Sequence, residues 1–311
     1  MENKNLLITG GAGFIGSNFV NLLFEKHDSP NIVVLDKLTY AGEKSRLEPY
    51  LDEIEFIKGD ISDKNTVKQI FSSRDIDYVV NFAAESHVDR SIESGDPFVK
   101  SNVRGAYTLM DVAREQNIEK FIQISTDEVY GSIKNGKAKE GDSLNPSSPY
   151  SASKASADVF ANSFYVTYNL PVIIVRPTNN FGPKQHKEKL IPKFIVRAER
   201  GEKLPIYGDG TNVRDWLYVK DNCRAIELLM RKGKPGETYN IGADNHKTNL
   251  EVVQKILELT DNPESLIEFV EDRKGHDQRY AVDSEKIRSM GWNPQSPFEN
   301  VLKETIAYYT G

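Results

Sequence analysis

A short apolar run, Asn5-Leu6-Leu7-Ile8-Thr9, breaks into Gly10-Gly11-Ala12-Gly13-Phe14-Ile15-Gly16 and resumes as a helical pattern through Phe19, Val20, Leu22, Leu23 and Phe24. No other feature restricts the fold as much. Strand, glycine turn and helix in that order open a parallel βαβ unit. Gly10, Gly13 and Gly16 lack Cβ atoms, so the chain can turn tightly and a pyrophosphate can approach the helix N-terminus. The next strand, Ile32-Val33-Val34-Leu35, ends at Asp36. Asp36 lies 20 residues beyond Gly16, the offset of a carboxylate that binds an adenosine ribose. A carboxylate there repels a 2′-phosphate, so the expected cofactor is NAD. Lys37 works against that exclusion.

The rhythm continues. Ile54–Ile57 and Tyr78–Phe82 read as strands, Lys64–Phe71 and Phe98–Gln116 as helices. Gly59-Asp60-Ile61 follows the third strand, where an adenine could rest against Asp60. The small residues after the fourth strand, from Phe82 through Ala83 and Ala84, leave room for the middle of the cofactor. His87, nearby, reads as a hydrogen-bonding loop residue. A helix from about Tyr150 to Tyr168 precedes a strand at Val172–Val175. Strand and helix alternating in this way predict a Rossmann-type, doubly wound parallel sheet of the α/β class, covered on both faces. It spans residues 1–176 and carries the catalytic residues.

After Arg176 the alternation breaks at the turn-rich Pro177-Thr178-Asn179-Asn180-Phe181-Gly182-Pro183. Helices near Ile191–Arg200, Asn222–Arg231 and Asn249–Leu259 mix with short strands near Leu204–Tyr207 and Trp216–Tyr218. Residues 177–311 are expected to form mainly a smaller mixed α/β lobe for substrate, with an approximate boundary and a chain free to cross back. Lys189, Arg214, Arg273, Lys274 and His276 give that lobe its basic and polar groups.

The chemistry lies between Ser125 and Lys154. Ser125-Thr126-Asp127-Glu128-Val129-Tyr130-Gly131 follows the buried run Phe121-Ile122-Gln123-Ile124, so a hydroxyl and two acids stand where a strand ends. Tyr150-Ser151-Ala152-Ser153-Lys154 puts a phenol and an ammonium on one helix face. The ammonium is expected to lower the phenol's pKa and make it a base for an alcohol proton. A base plus an acid pair suits hydroxyl oxidation coupled to an elimination.

Composition narrows the class. A net charge of −6 argues against a nucleic-acid surface. No apolar run is long enough to span a membrane, and Met1-Glu2-Asn3-Lys4-Asn5 has no signal-peptide pattern. A single cysteine, Cys223, excludes an internal disulfide and reads as structural. A cytoplasmic protein is expected. No metal is expected.

With these residues laid out, the chain resembles the extended short-chain dehydrogenases/reductases and, within them, the dTDP-glucose 4,6-dehydratases. The likeness runs from Leu7 to Tyr309 and is carried by ITGGAGFIGSN (8–18), NFAAESHVDRSI (81–92), STDEVYG (125–131), PYSASKAS (149–156), NNFGP (179–183), EKLIP (188–192), RDWLYV (214–219), YNIG (239–242) and DRKGHDQRYA (272–281). The resemblance implies rhamnose-type deoxysugar biosynthesis. It makes Tyr150 the base with Lys154 its partner, Thr126 a sugar contact, Asp127 the acid for the leaving hydroxyl and Glu128 the base at carbon 5. It places cofactor contacts on Phe14, Ile15, Asp36, Lys37, Thr39, Asp60, Ile61, Ser101, Tyr150, Lys154 and Asn180. Sugar-nucleotide contacts fall on Ser86, Thr126, Asn179, Lys189, Leu190, Pro205, Tyr207, Arg214, Asn249 and His276. Pro177-Thr178 and Lys187 depart from the family's usual Cys-Ser and Pro.

Consecutive strand residues face opposite ways, so both acids reach one sugar only if strand geometry ends at Thr126–Glu128. A turn or helical start is predicted there. The resemblance also implies a homodimer. The helices beginning near Phe98 and Tyr150 fit one, with apolar Tyr107, Met110, Phe160 and Phe164 on more than one face. The alternatives are a UDP-sugar dehydratase, a sugar-nucleotide 4-epimerase and a non-catalytic NAD(H)-binding protein. An epimerase has no use for Asp127-Glu128. A non-catalytic protein has no use for Thr126, Tyr150 and Lys154.

Overall fold

A computed structural model describes residues 4–311, so Met1–Asn3 lie outside it. Twelve strands follow in chain order: β1 (Asn5–Thr9), β2 (Asn31–Asp36), β3 (Glu55–Lys58), β4 (Tyr78–Asn81), β5 (Lys120–Ile124), β6 (Val172–Pro177), β7 (Asn179–Phe181), β8 (Leu204–Tyr207), β9 (Val213–Tyr218), β10 (Thr238–Ile241), β11 (His246–Thr248) and β12 (Ile267–Val270). Seven of them form one sheet in the order β10-β6-β5-β4-β1-β2-β3, every pair parallel.

Period-2 alternation sorts the strand side chains onto two faces. Leu6, Ile8, Val34, Val80, Ile122 and Val175 join one buried cluster. Leu7, Val33, Leu35, Val79, Phe121 and Val172 join the other. Both faces are covered, as the unbroken apolar strands require. The sheet is a doubly wound Rossmann-type layer. Its strand order reverses between β1 and β4, and a crevice opens beyond the carboxyl ends of those strands.

The expected division near residue 176 is crossed by the chain. β6 and β10 are neighbours in the main sheet, and the helix Val219–Lys232 packs on Phe14–Lys26. Strands from before and after these returns form two small sheets, β11-β9-β7 and the parallel pair β12-β8. They build the smaller lobe with the helices Leu190–Glu199 and Asn249–Leu259. The expected single helix Phe98–Gln116 is interrupted. It runs Asp96–Phe98, widens into π-helical turns over Val99–Gly105, and narrows again over Ala106–Ala113. At the end of the π-helical turns Gly105 packs closely on the cofactor-side loop, where an added Cβ would lie 2.6 Å from the Ile61 side chain. Cys223 is fully buried, its thiol directed to the Ile15 carbonyl at 3.8 Å. Among the described residues no helix is long and apolar enough to cross a membrane.

A buried polar ladder holds the strand ends in register. Thr9 donates to Asn81 Oδ1 at 2.6 Å, and Asn81 Nδ2 donates to Gln123 Oε1 at 2.8 Å. Gln123 Nε2 reaches the Ile124 carbonyl at 3.3 Å. The three residues are directly paired across β1, β4 and β5. Replacing Asn81 with Ala leaves a hydroxyl and an amide oxygen buried without partners. The expected loss is about 2–4 kcal/mol, measured as a lowered urea midpoint. An unchanged midpoint would show that the ladder contributes no stability.

Candidate active site

β5 ends at Ile124, and Thr126 is the last extended residue (φ −157°, ψ 155°). Its hydroxyl accepts from Glu128 N at 3.3 Å and donates to Asp127 Oδ1 at 3.2 Å. That cap starts a 3₁₀ turn over Asp127–Tyr130, the break in strand geometry predicted from sequence. With three residues per turn, consecutive side chains no longer point to opposite faces.

The helix Pro149–Tyr168 starts one residue before Tyr150. Ser148 and Ser151 form a reciprocal capping box, and Pro149 occupies the first turn. Asn102 fixes this helix from the π-helical segment by donating to Ser153 Oγ at 2.8 Å. Tyr150 and Lys154 are both buried.

The expected lowering of the Tyr150 pKa by Lys154 is not what the folded chain produces. Burial, and then the Glu128 and Asp127 charges, push the phenol up, with the Thr126 hydroxyl opposing. Lys154 donates to the Ile124 carbonyl at 2.5 Å, and burial lowers its own pKa to about 8. Desolvation of both groups outweighs their pairing.

The two acids differ. Burial drives Asp127 well above the ordinary carboxylate range, and the Glu128 and Asp215 charges raise it further. Its Oδ2 is buried without a hydrogen-bond partner. Burial also raises Glu128, but Arg273, Arg214 and Lys189 pull it back down. The pair therefore favours a protonated Asp127 beside a more readily ionised Glu128.

Three connected cavities meet here. The cleft nearest β2 is lined by Asp36, Lys37, Thr39, Asp60, Ile61 and Ser101, with Ala83 on its floor. Gly10, Gly13, Phe82 and Ala84 line both it and the next cavity. That second cavity adds Phe14, Ile15, Gly16, Asn180, Thr126, Asp127, Tyr150 and Lys154. The third, about 570 Å³, lies in the smaller lobe and is walled by Ser86, Asn179, Leu190, Pro205, Tyr207 and Asn249, with Lys189, Arg214, Arg273 and His276 supplying the basic groups. Glu128, Ser86, Asn179, Glu188 and Lys189 line both the second and third, so Glu128 stands at the seam. Lys274 aside, the catalytic, cofactor and substrate residues expected from the sequence each line one of these three cavities.

The first two cavities fit a dinucleotide. Gly10 adopts φ +68°, and a Cβ there would lie 2.6 Å from Ala83 N. Asp36 is anchored by Ala12 N at 2.9 Å and Leu38 N at 2.8 Å, which leaves lone pairs for ribose hydroxyls. Lys37 pairs with Asp60 at 3.0 Å on the wall of the same cleft, so its charge is partly neutralised there.

In the third cavity, Arg214 is held by the Val213 and Asp277 carbonyls and lies 4.1 Å from the Tyr280 ring centroid. Lys189 donates to the Ser86 carbonyl at 2.6 Å. Arg273 pairs with Asp89 at 3.3 Å, and His276 with Asp272 at 2.6 Å. Lys274 is exposed and lines none of these cavities. His87 caps the helix Val88–Glu93, with Nδ1 accepting from Arg90 N at 3.4 Å.

Sequence reasoning passed over Glu188, Tyr280, Tyr40 and His186, which also line the site. Glu188 and Tyr280 lie inside two of the segments that carry the family resemblance. Which of their atoms face the cavity is decided by packing. Tyr280 reaches Glu128 Oε2 at 3.4 Å across 152 residues of chain.

A profile described as GDP-mannose 4,6 dehydratase matches residues 7–305. The chain belongs to that family. It is 54% identical over 309 residues to the low-salt glycan biosynthesis protein Agl12 of Haloferax volcanii, with 99% of each chain covered. It is 44% identical to a dTDP-glucose 4,6-dehydratase of Actinoplanes, covering 98% of this chain and 97% of that one. The crystal structure of DesIV, a dTDP-glucose 4,6-dehydratase from Streptomyces venezuelae solved with NAD bound, superposes with a TM-score of 0.95 at 44% identity, covering 98% and 96% of the two chains. Family membership extends across both lobes, so the cavity seam at Glu128 lies within the matched region.

Gly10→Ala tests the dinucleotide cradle. The protein is expected to fold with reduced stability, because the added Cβ presses on the Phe82-Ala83 backbone, and to bind NAD at least about tenfold more weakly. Titration calorimetry reads the difference. Unchanged affinity would place the cofactor elsewhere.

Proposed function

We propose that this chain is an NAD-dependent dTDP-glucose 4,6-dehydratase, a hydro-lyase of deoxysugar synthesis that forms dTDP-4-dehydro-6-deoxy-glucose and water. The observation that carries the reading is the acid pair at the seam. Asp127 is driven towards its protonated form, while three cations favour ionised Glu128. A 4-epimerase shares the dinucleotide cleft and Tyr150-Lys154 but has no elimination to perform. The basic third cavity suits a nucleoside diphosphate sugar, and the likeness to dTDP-glucose 4,6-dehydratases at 44% identity supports dTDP-glucose over a UDP-sugar.

Bound NAD would accept a hydride from carbon 4 and return it to carbon 6. Gly10, Gly13, Asp36 and Lys154 hold and orient it. Tyr150 takes the proton of the 4-hydroxyl. The high intrinsic pKa of its buried phenol means that a bound cationic ring must favour the phenolate. Thr126 bonds the sugar. Once carbon 4 is a ketone, the carbon 5 hydrogen is acidic. Glu128 removes it, Asp127 gives its proton to the departing 6-hydroxyl, and a proton returns to carbon 5 when carbon 6 takes the hydride. Lys189, Arg214 and Arg273 hold anionic charge near Glu128.

Asp127→Asn and Glu128→Gln are expected to permit oxidation at carbon 4 and to slow loss of water by about 10²–10⁴-fold. Single-turnover quenching should show a 4-keto sugar that keeps its 6-hydroxyl. In the unaltered protein the elimination rate should fall as pH drops through a value above the ordinary glutamate pKa, because burial raises Glu128. A deuterium label that starts on carbon 4 and returns there, with the 6-hydroxyl intact, would establish an epimerase.

We also take the protein to be a cytoplasmic homodimer. Val159 and Val166 are 63% and 70% exposed on the helix Pro149–Tyr168, beside partly exposed Phe160 and Tyr107. Phe164 and Met110 on the same helices face inward. A second copy would cover that outer apolar stripe. Light scattering at micromolar concentration should give twice the chain mass, and Val166→Glu should return it to the monomer. A monomeric parent protein would refute the dimer.

A further inference from the structure

Arg176 lines neither the cofactor cleft nor the sugar cavity, yet it touches both catalytic elements. It sits near the end of β6 and is 5% exposed. Its Nε donates to Asp158 Oδ2 at 2.8 Å. One terminal nitrogen donates to the Tyr130 hydroxyl at 2.7 Å and reaches the Glu140 carbonyl at 3.3 Å. The guanidinium lies 4.9 Å from the Tyr130 ring centroid. Tyr130 in turn donates to Asn240 Oδ1 on β10 at 2.8 Å.

Asp158 stands four residues beyond Lys154 and so on the same face of the catalytic helix. Tyr130 closes the 3₁₀ turn that carries Asp127 and Glu128. A buried ion pair contributes little net stability, because desolvation offsets its attraction. Its directional bonds still fix the elements that it joins. A guanidinium can bond two partners at fixed angles, which an ammonium cannot.

We propose that Arg176 is the positioning residue that holds the oxidising helix and the eliminating turn in register, through Asp158 on one arm and Tyr130 on the other. The inference rests on the dehydratase reading. The reaction needs both elements to address one sugar without releasing it, and only a rigid link between them keeps Tyr150 and Glu128 at fixed separation. Asp158 has a second effect. Its charge opposes the lowering of the Lys154 pKa by burial. The other charged or titratable groups around Arg176 and Asp158 are Lys154 on the helix, Tyr130 on the turn and Glu140 on the loop beyond it.

The two arms can be cut separately. Tyr130→Phe removes a hydroxyl and keeps the ring. Carbon 4 oxidation should proceed at the unaltered rate, while elimination slows by about 10²-fold, the cost of a small misplacement. Reduced nicotinamide and a 4-keto, 6-hydroxy sugar should then accumulate in single turnover. Asp158→Asn should instead slow oxidation and move its alkaline limb to lower pH, since Lys154 loses a neighbouring carboxylate. If that variant unfolds around its unpaired guanidinium, Asp158→Asn/Arg176→Gln removes both charges and, because it cuts both arms, should slow oxidation and elimination together, where Tyr130→Phe slows elimination alone. Equal slowing of both steps in both single variants, or a lowered melting temperature with both rates kept, would overturn the inference. The unaltered protein assayed alongside separates the two readings. Turnover there with unselective variants overturns the positioning role alone. Absence of elimination there overturns the dehydratase reading, and the positioning role with it.

Discussion

The site depends on where β5 stops. Up to Ile124 the chain is a buried central strand, and its backbone groups are committed to β4 and β6. Two residues later, the Thr126 hydroxyl takes Glu128 N and turns the chain into a single 3₁₀ turn. Both acids then reach one volume. Lys154 is tied to the last strand carbonyl, Ile124 O, so the catalytic helix is referenced to the same point.

Burial does most of the electrostatic work around that point. Desolvation is the largest influence on Asp127, Glu128, Tyr150 and Lys154 alike. What separates the two acids is their neighbours. Glu128 faces three cations of the smaller lobe, whereas Asp127 faces Glu128 and Asp215 first. The smaller lobe thus acts on the larger one electrostatically, because its cations oppose the rise that burial gives Glu128. An interleaved chain path makes this coupling rigid. β10 returns to the main sheet after the first two small-lobe sheets have begun, and its Asn240 bonds Tyr130 at the end of the catalytic turn.

Some of this architecture was legible in the residue order. The glycine turn after β1, the carboxylate at the end of β2 and the alternating apolar runs specify a parallel sheet with a dinucleotide crevice, because those patterns are local and periodic. The capping of the helix at Ser148-Pro149 and the spacing of Tyr150 and Lys154 are local too. The chemical argument that two adjacent acids must share one target was enough to predict the turn at Thr126–Glu128.

Other features depend on residues far apart in sequence. The close approach of Gly105 to Ile61 and the return of β10 beside β6 join segments far apart in the chain, and no local pattern encodes either. The rise of the Tyr150 pKa reverses a pairwise expectation, since a nearby ammonium is visible in the sequence whereas the loss of water around a phenol is not. The sequence by itself determined the residue types, the periodicities and the two catalytic motifs, since each is set by contacts within a few residues. The tertiary structure alone decided how burial and neighbouring charges separate the two carboxyls, which cations act on Glu128 and how Arg176 spans the helix and the turn, because desolvation and long-range charge exist only once distant segments are packed together.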